Sequence, residues 1–215
     1  MKRVWWSWVT FQLLRMHAVL LLAMGRSNAA LARFDRLLQL RPLDCHALAS
    51  RAHIHAQRGS FDAAVASLRL LTQTRPQEAA GWFNLGFTLQ QLGKHSRAGV
   101  AFRRALAIDP RMDRAWYGLA LALMDSRQFQ EAADALEKNI ALQPMSPYGW
   151  FSLAQVRQAL DQHDEAFRIA LQLREFEPKV AALLERVLGL ERSASPYLDG
   201  TATRAVITHA IRHAA

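Results

Sequence analysis

The side chains able to do covalent or metal chemistry are few and poorly spaced for it. Cys45 is the single thiol, and His46 follows it directly. A nucleophile and its base must meet, whereas adjacent residues on a helix point apart. His53 and His55 stand two apart and cannot share a helical face. His209 and His213 are four apart and could reach one metal from a helix, but no third ligand accompanies them. Phosphate-loop, dinucleotide, nucleophile-elbow and zinc-protease patterns are all missing. One cysteine also excludes a disulfide framework. The expectation is a chain that is not an enzyme, holds no metal or cofactor, and works through a surface.

The bulk numbers suit a folded domain. Hydrophobic residues make up 51% of the 215 and charged residues 21%, which excludes a wholly disordered chain. The net charge is +9, carried by 27 Lys and Arg of which only Lys2, Lys94, Lys138 and Lys179 are lysines. Such a balance suits nucleic acid or anionic lipid. The arginines are scattered, however, with no block of five like charges and no recognition module. Nucleic-acid binding through arginine faces is therefore the weaker reading.

The elements that must present a surface follow from a period. Pro42, Pro76, Pro110, Pro144 and Pro178 stand 34 residues apart. Twelve residues before each comes an alanine: Ala30, Ala64, Ala98, Ala132 and Ala166. Twenty-four before each comes a small residue: Ala18, Ala52, Gly86, Ala120 and Ala154. Four earlier still are Leu14, Leu48, Trp82, Trp116 and Trp150. Trp82, Leu85, Gly86 and Leu89 follow i, i+3, i+4, i+7 spacing, one face of an amphipathic helix. Gly93 breaks the chain; Ala98, Phe102 and Ala105 mark the inner face of a second helix, and Pro110 stops it. One such pair cannot bury its apolar face, but stacked pairs share a continuous core. The tryptophan is expected to act as a knob against the adjoining helix. The tight turn is expected to be weaker in the fourth and fifth units, where Arg127 and Asp161 replace the glycine.

This pattern resembles the tetratricopeptide repeat family over residues 11–180. Trp82, Leu85-Gly86, Leu89, Gly93, Ala98, Phe102, Ala105 and Pro110 fall where the family pattern wants them. The resemblance implies an all-α fold, a right-handed α-solenoid of five 34-residue helix-turn-helix repeats at 11–44, 45–78, 79–112, 113–146 and 147–180. A capping helix is expected over 181–192, then a linker and short tail helix over 193–215. The resemblance also implies a protein–protein adaptor, scaffold or assembly factor. The first helix of each repeat would line a concave groove holding an extended or helical polypeptide.

Carried over by position, that groove takes Arg15, Val19 and Leu22 from the first repeat and His46, Ala49 and His53 from the second. The third supplies Phe83, Asn84, Phe87 and Gln90, the fourth Arg114, Tyr117 and Leu121, and the fifth Tyr148, Phe151 and Gln155. No carboxylate occurs among them, although Asp125 holds the thirteenth position of the fourth repeat. The family's clamp for acidic chaperone tails is matched only at Asn84 and Arg114, with Ala49, His53 and Gly118 at its other positions. An acidic heat-shock tail is not the expected ligand.

The N-terminus departs from the pattern. Residues 1–10 read as a Trp-rich extension, and Val19–Leu22 is apolar on every side, whereas a terminal repeat normally turns a polar face outward. Trp5, Trp6, Trp8, Phe11, Val19 and Leu22 are therefore expected to meet a partner protein, a second copy of the chain, or a membrane surface. In the last case the protein would be a peripheral accessory subunit of a larger membrane complex. A true span is disfavoured by Arg15, since a central arginine costs about 3 kcal/mol. Without a signal-peptide pattern, the expected location is cytoplasmic, with peripheral attachment at the inner membrane as the alternative. The Arg-rich, Lys-poor composition suits a GC-rich bacterium.

Overall fold

In the computed structural model, residues 2–189 are described, and among them eleven α-helices and no strand occur. The expected linker and tail, with His209 and His213, lie outside the described residues. The chain divides into two compact units, one through Pro144 and the other from Met145.

The first unit contains α1 (Lys2–Ala23), α2 (Ser27–Leu40), α3 (Cys45–Gln57), α4 (Phe61–Thr74), α5 (Ala79–Gln91), α6 (His95–Ile108), α7 (Asp113–Asp125) and α8 (Phe129–Leu142). Each helix packs on its neighbour in sequence, and α5 also meets α7. The second unit contains α9 (Pro147–Ala159), α10 (His163–Phe176) and α11 (Pro178–Val187), with α11 against both others. Both are built of the antiparallel helix pairs of an α-solenoid.

Local chemistry sets the helix ends. Asp44 caps α3 by accepting from the Ala47 N–H at 2.8 Å. Pro147 and Pro178 open α9 and α11, where a missing N–H costs nothing. The last phased proline thus starts the final helix, three residues earlier than expected. Turns between paired helices use left-handed backbone. Gly25, Gly59 and Gly93 have φ of 72°, 72° and 68°, and Arg127 and Asp161 adopt 58° and 59°. The turn is therefore preserved without glycine, and its strain is carried by the backbone of those two residues.

The phased tryptophans do more than fill space. Trp82 Nε1 donates to the Pro76 carbonyl at 2.9 Å, and Trp116 Nε1 to the Pro110 carbonyl at 2.8 Å. Each indole ties the start of its helix to the proline that ended the preceding one.

The core of the first unit follows the repeat. Ala30, Phe34, Leu37, Leu48, Ala64, Ala98, Phe102, Ala132 and Leu136 are wholly buried. The small residue at 86 admits a ring: a Cβ there would lie 2.9 Å from Phe102. Gly118 approaches the same ring from α7, where a Cβ would lie 2.6 Å from Phe102 Cζ. Phe83 tilts against it with ring centroids 5.9 Å apart. A polar tie joins α2, α3 and α4: Arg51 Nε donates to Ser67 Oγ at 2.9 Å, and Arg51 Nη1 lies 3.5 Å from Asp35.

The Trp-rich segment is continuous with the first repeat, because α1 runs unbroken from Lys2. One side of α1 buries Phe11, Ala18 and Leu21. Phe11, expected to meet a partner, is instead a core residue only 3% exposed, with the Arg41 guanidinium 4.1 Å above its ring. The rest of the helix surface carries exposed Trp8, Leu13, Met16, Val19 and Leu20, with exposed Met24 just past its end. Leu22 is half-buried between the two. Trp5 and Trp6 belong to the same helix, and their side chains lie outside the described part.

Candidate polypeptide-binding site

The residues expected to line a groove lie on the first helix of each pair. On α3, His46, Ala49 and His53 are exposed. On α5, Asn84 is exposed while Phe83, Phe87 and Gln90 are half-buried. On α7, Arg114 is exposed and Tyr117 half-buried. Because α5 and α7 meet, the structure brings the Asn84 and Arg114 helices side by side. Tyr148 and Gln155 hold the corresponding positions on α9 in the second unit, exposed and half-buried.

Two of the expected residues do not reach the surface. Leu121 is 8% and Phe151 7% exposed. The reason is local: Leu119–Leu123 on α7 and Phe151–Ala154 on α9 are unbroken buried runs, so these helices are enclosed on more sides than a one-faced pattern implies. Phe83 is intermediate, with part of its ring in the core beside Phe102.

The polar groups at this surface are few. Among the described residues, neither the Asn84 amide nor the Arg114 guanidinium has a side-chain partner within hydrogen-bond or ion-pair distance. The Asn84 carbonyl is engaged in its own helix, accepting from Thr88 Oγ1 at 2.7 Å. The Asp125 carboxylate faces a histidine: His95 Nδ1 lies 2.8 Å from its Oδ2, off the line of a hydrogen bond. On α3, burial is the main reason the His55 imidazole is held below its ordinary value. Arg51 adds to that, Asp35 opposes it, and Arg58 adds a little more.

At the N-terminal end, Arg15, Met16, Val19, Leu20 and Ala23 of α1 and His46 of α3 surround an open depression of about 500 Å³. Among the described residues no three His, Cys, Asp or Glu side chains come together to hold a metal.

Two family models, both described as tetratricopeptide repeat, match the sequence. One covers residues 15–79 and 51–113 and the other residues 89–150. The chain belongs to the tetratricopeptide repeat family. Its helix pairs resemble those of several solved structures. A crystal structure of a MamA protein is 19% identical, covers 87% of this chain and 98% of its own, and gives a TM-score of 0.73. MamA from Desulfovibrio magneticus RS-1, from residue 41 to its end, is 21% identical over 78% of this chain and 95% of that one, at a TM-score of 0.73. YrrB, a TPR protein with an unusual peptide-binding site, is 15% identical over 79% of this chain and 88% of its own, also at 0.73. At these identities the likeness concerns the fold. No curated protein matches in sequence.

Proposed function

We propose that this protein is a non-enzymatic adaptor, scaffold or assembly factor. It holds a polypeptide segment of a partner along the exposed sides of α3, α5 and α7. The observation that carries this reading is the pairing on α5 and α7 of two unengaged polar groups, Asn84 and Arg114, with the half-buried rings of Phe83, Phe87 and Tyr117. Rings give large contact area at small entropic cost. An amide and a guanidinium suit the carbonyls of an extended or helical segment, or a carboxylate on it. His53 extends the same row on α3. Tyr148 and Gln155 offer an equivalent patch on α9. The likeness to YrrB, a TPR protein with an unusual peptide-binding site, supports a peptide ligand.

A second attachment surface is the outward side of α1. Five exposed apolar side chains on one helix, with Met24 just past its end, are more than a free surface normally leaves uncovered. This surface would fix the adaptor where it works.

The test is selection of binding peptides from a random library, followed by titration against Arg114→Ala and Tyr117→Ala. Each variant is expected to weaken binding about tenfold or more. Failure to select any peptide, or undiminished binding to both variants, would remove this reading.

A further inference from the structure

We infer that the outward side of α1 docks in the plane of an anionic lipid bilayer. The inference rests on the reading of α1 as an attachment surface, whose Met16, Val19 and Leu20 also border the depression shared with His46 of α3. Leu13, Met16, Leu20 and Met24 fall at i, i+3, i+7 and i+11 and form one stripe, 58% to 68% exposed. Trp8 and Val19 widen it on one side. Buried Phe11, Ala18 and Leu21 hold the opposite side of the helix on the fold. The helix is thus fixed on the fold by one flank and leaves the other, apolar one open to lie along a surface. This is not the geometry of a span, and among the described residues no helix is long and apolar enough to cross a membrane.

Charge selects the occupant. The 22 residues of α1 include Lys2, Arg3 and Arg15 and no acid. Residues 1–74 carry ten Lys and Arg against three Asp, whereas residues 113–189 carry eight Lys and Arg against eleven Asp and Glu. The apolar stripe therefore sits within the cationic part of the chain. Each cation near an anionic leaflet adds to attraction, and a tryptophan such as Trp8 favours the headgroup level. A second copy fits less well. Pairing α1 with α1 would bring six cations and no acid into one contact, and six exposed apolar side chains fall far short of the roughly 20 to 30 residues a side of a stable protein interface.

The experiment is co-sedimentation of the full chain with vesicles of phosphatidylcholine alone and of phosphatidylcholine with phosphatidylglycerol. Leu13→Asp, Leu20→Asp and their double variant are compared, with light scattering and circular dichroism on each. Both leucines are exposed, so helicity should be unchanged. If the double variant unfolds, the single variants carry the comparison. The expected result is binding to the anionic vesicles that weakens with salt and falls about tenfold for each leucine replaced. Absence of binding, or binding indifferent to the substitutions, overturns the inference. A dimer dissolved by the same substitutions, without vesicle binding, also overturns it but leaves α1 an attachment surface. Neither vesicle binding nor an α1-dependent dimer would remove both readings.

Discussion

Gly118→Ala tests the tightest contact in the helical stack. An alanine Cβ there would stand 2.6, 2.8 and 3.0 Å from Phe102 Cζ, Cε1 and Cε2. Carbon atoms rest at about 3.5–4.0 Å, so the ring must retreat by close to an ångström. It has little room, being wholly buried, lying so close to Gly86 that a Cβ there would stand 2.9 Å away, and met by Phe83. Overpacking of this kind costs about 1–3 kcal/mol, while alanine gains roughly 1 kcal/mol over glycine in a helix. The net expectation is a loss of up to about 2 kcal/mol. Gly99→Ala is the control: its Cβ would meet Leu119 at 3.8 Å and Ala122 at 4.0 Å. These are ordinary contacts, so it should be neutral or stabilising by up to about 1 kcal/mol. Urea denaturation followed by circular dichroism reads both. Shortening the ring removes the clash, so in a Phe102→Leu background Gly118→Ala should lose its penalty and stabilise by roughly 1 kcal/mol, a coupling of about 1–3 kcal/mol. Equal stability of Gly118→Ala and Gly99→Ala, or an unchanged penalty in that background, would refute the packing argument.

Three further outcomes follow from the backbone and the charges. Arg127→Gly should raise stability by about 0.5–1 kcal/mol by relieving a left-handed residue at φ 58°. Gly59→Ala, whose Cβ would touch nothing within 4 Å, should lose about 1 kcal/mol through backbone strain alone; denaturant titration measures both. The lowered pKa of His55 means that the unfolded chain takes up a proton first as pH falls through the ordinary value of 6.5. Stability from this group is full above that pH and declines below it. His55→Gln should flatten this part of the profile, and a slope unchanged in the variant would count against the assignment.

Much of the fold could be read from the sequence because a solenoid writes its geometry into a period. Phased prolines, alanines and tryptophans place helix ends and close approaches without any long-range contact having to be guessed. What the period did not encode was how many sides of each helix are covered. Leu121 and Phe151 hold groove positions in the repeat, yet they sit in buried runs. Phe11 reads as part of a greasy terminus but is held under Arg41 across 30 residues of sequence. The left-handed turns at Arg127 and Asp161 were also hidden, since local propensity argues against them and only the packing of the flanking helices imposes them. The tryptophan-to-proline hydrogen bonds had a signal, a six-residue spacing repeated in step with the period, that becomes legible only once the turn geometry is known. For the candidate site, residue types and helices were readable, whereas the engagement of Asp125 by His95 was not.

The central claim is that polypeptide binds along the first helices of the pairs. The direct measurement is backbone amide NMR of the labelled 24.2 kDa chain titrated with a selected peptide. The largest shifts are expected in α3, α5 and α7, centred on Asn84, Arg114 and Tyr117. Shifts confined to α4, α6 and α8, with those three residues unmoved, would contradict it.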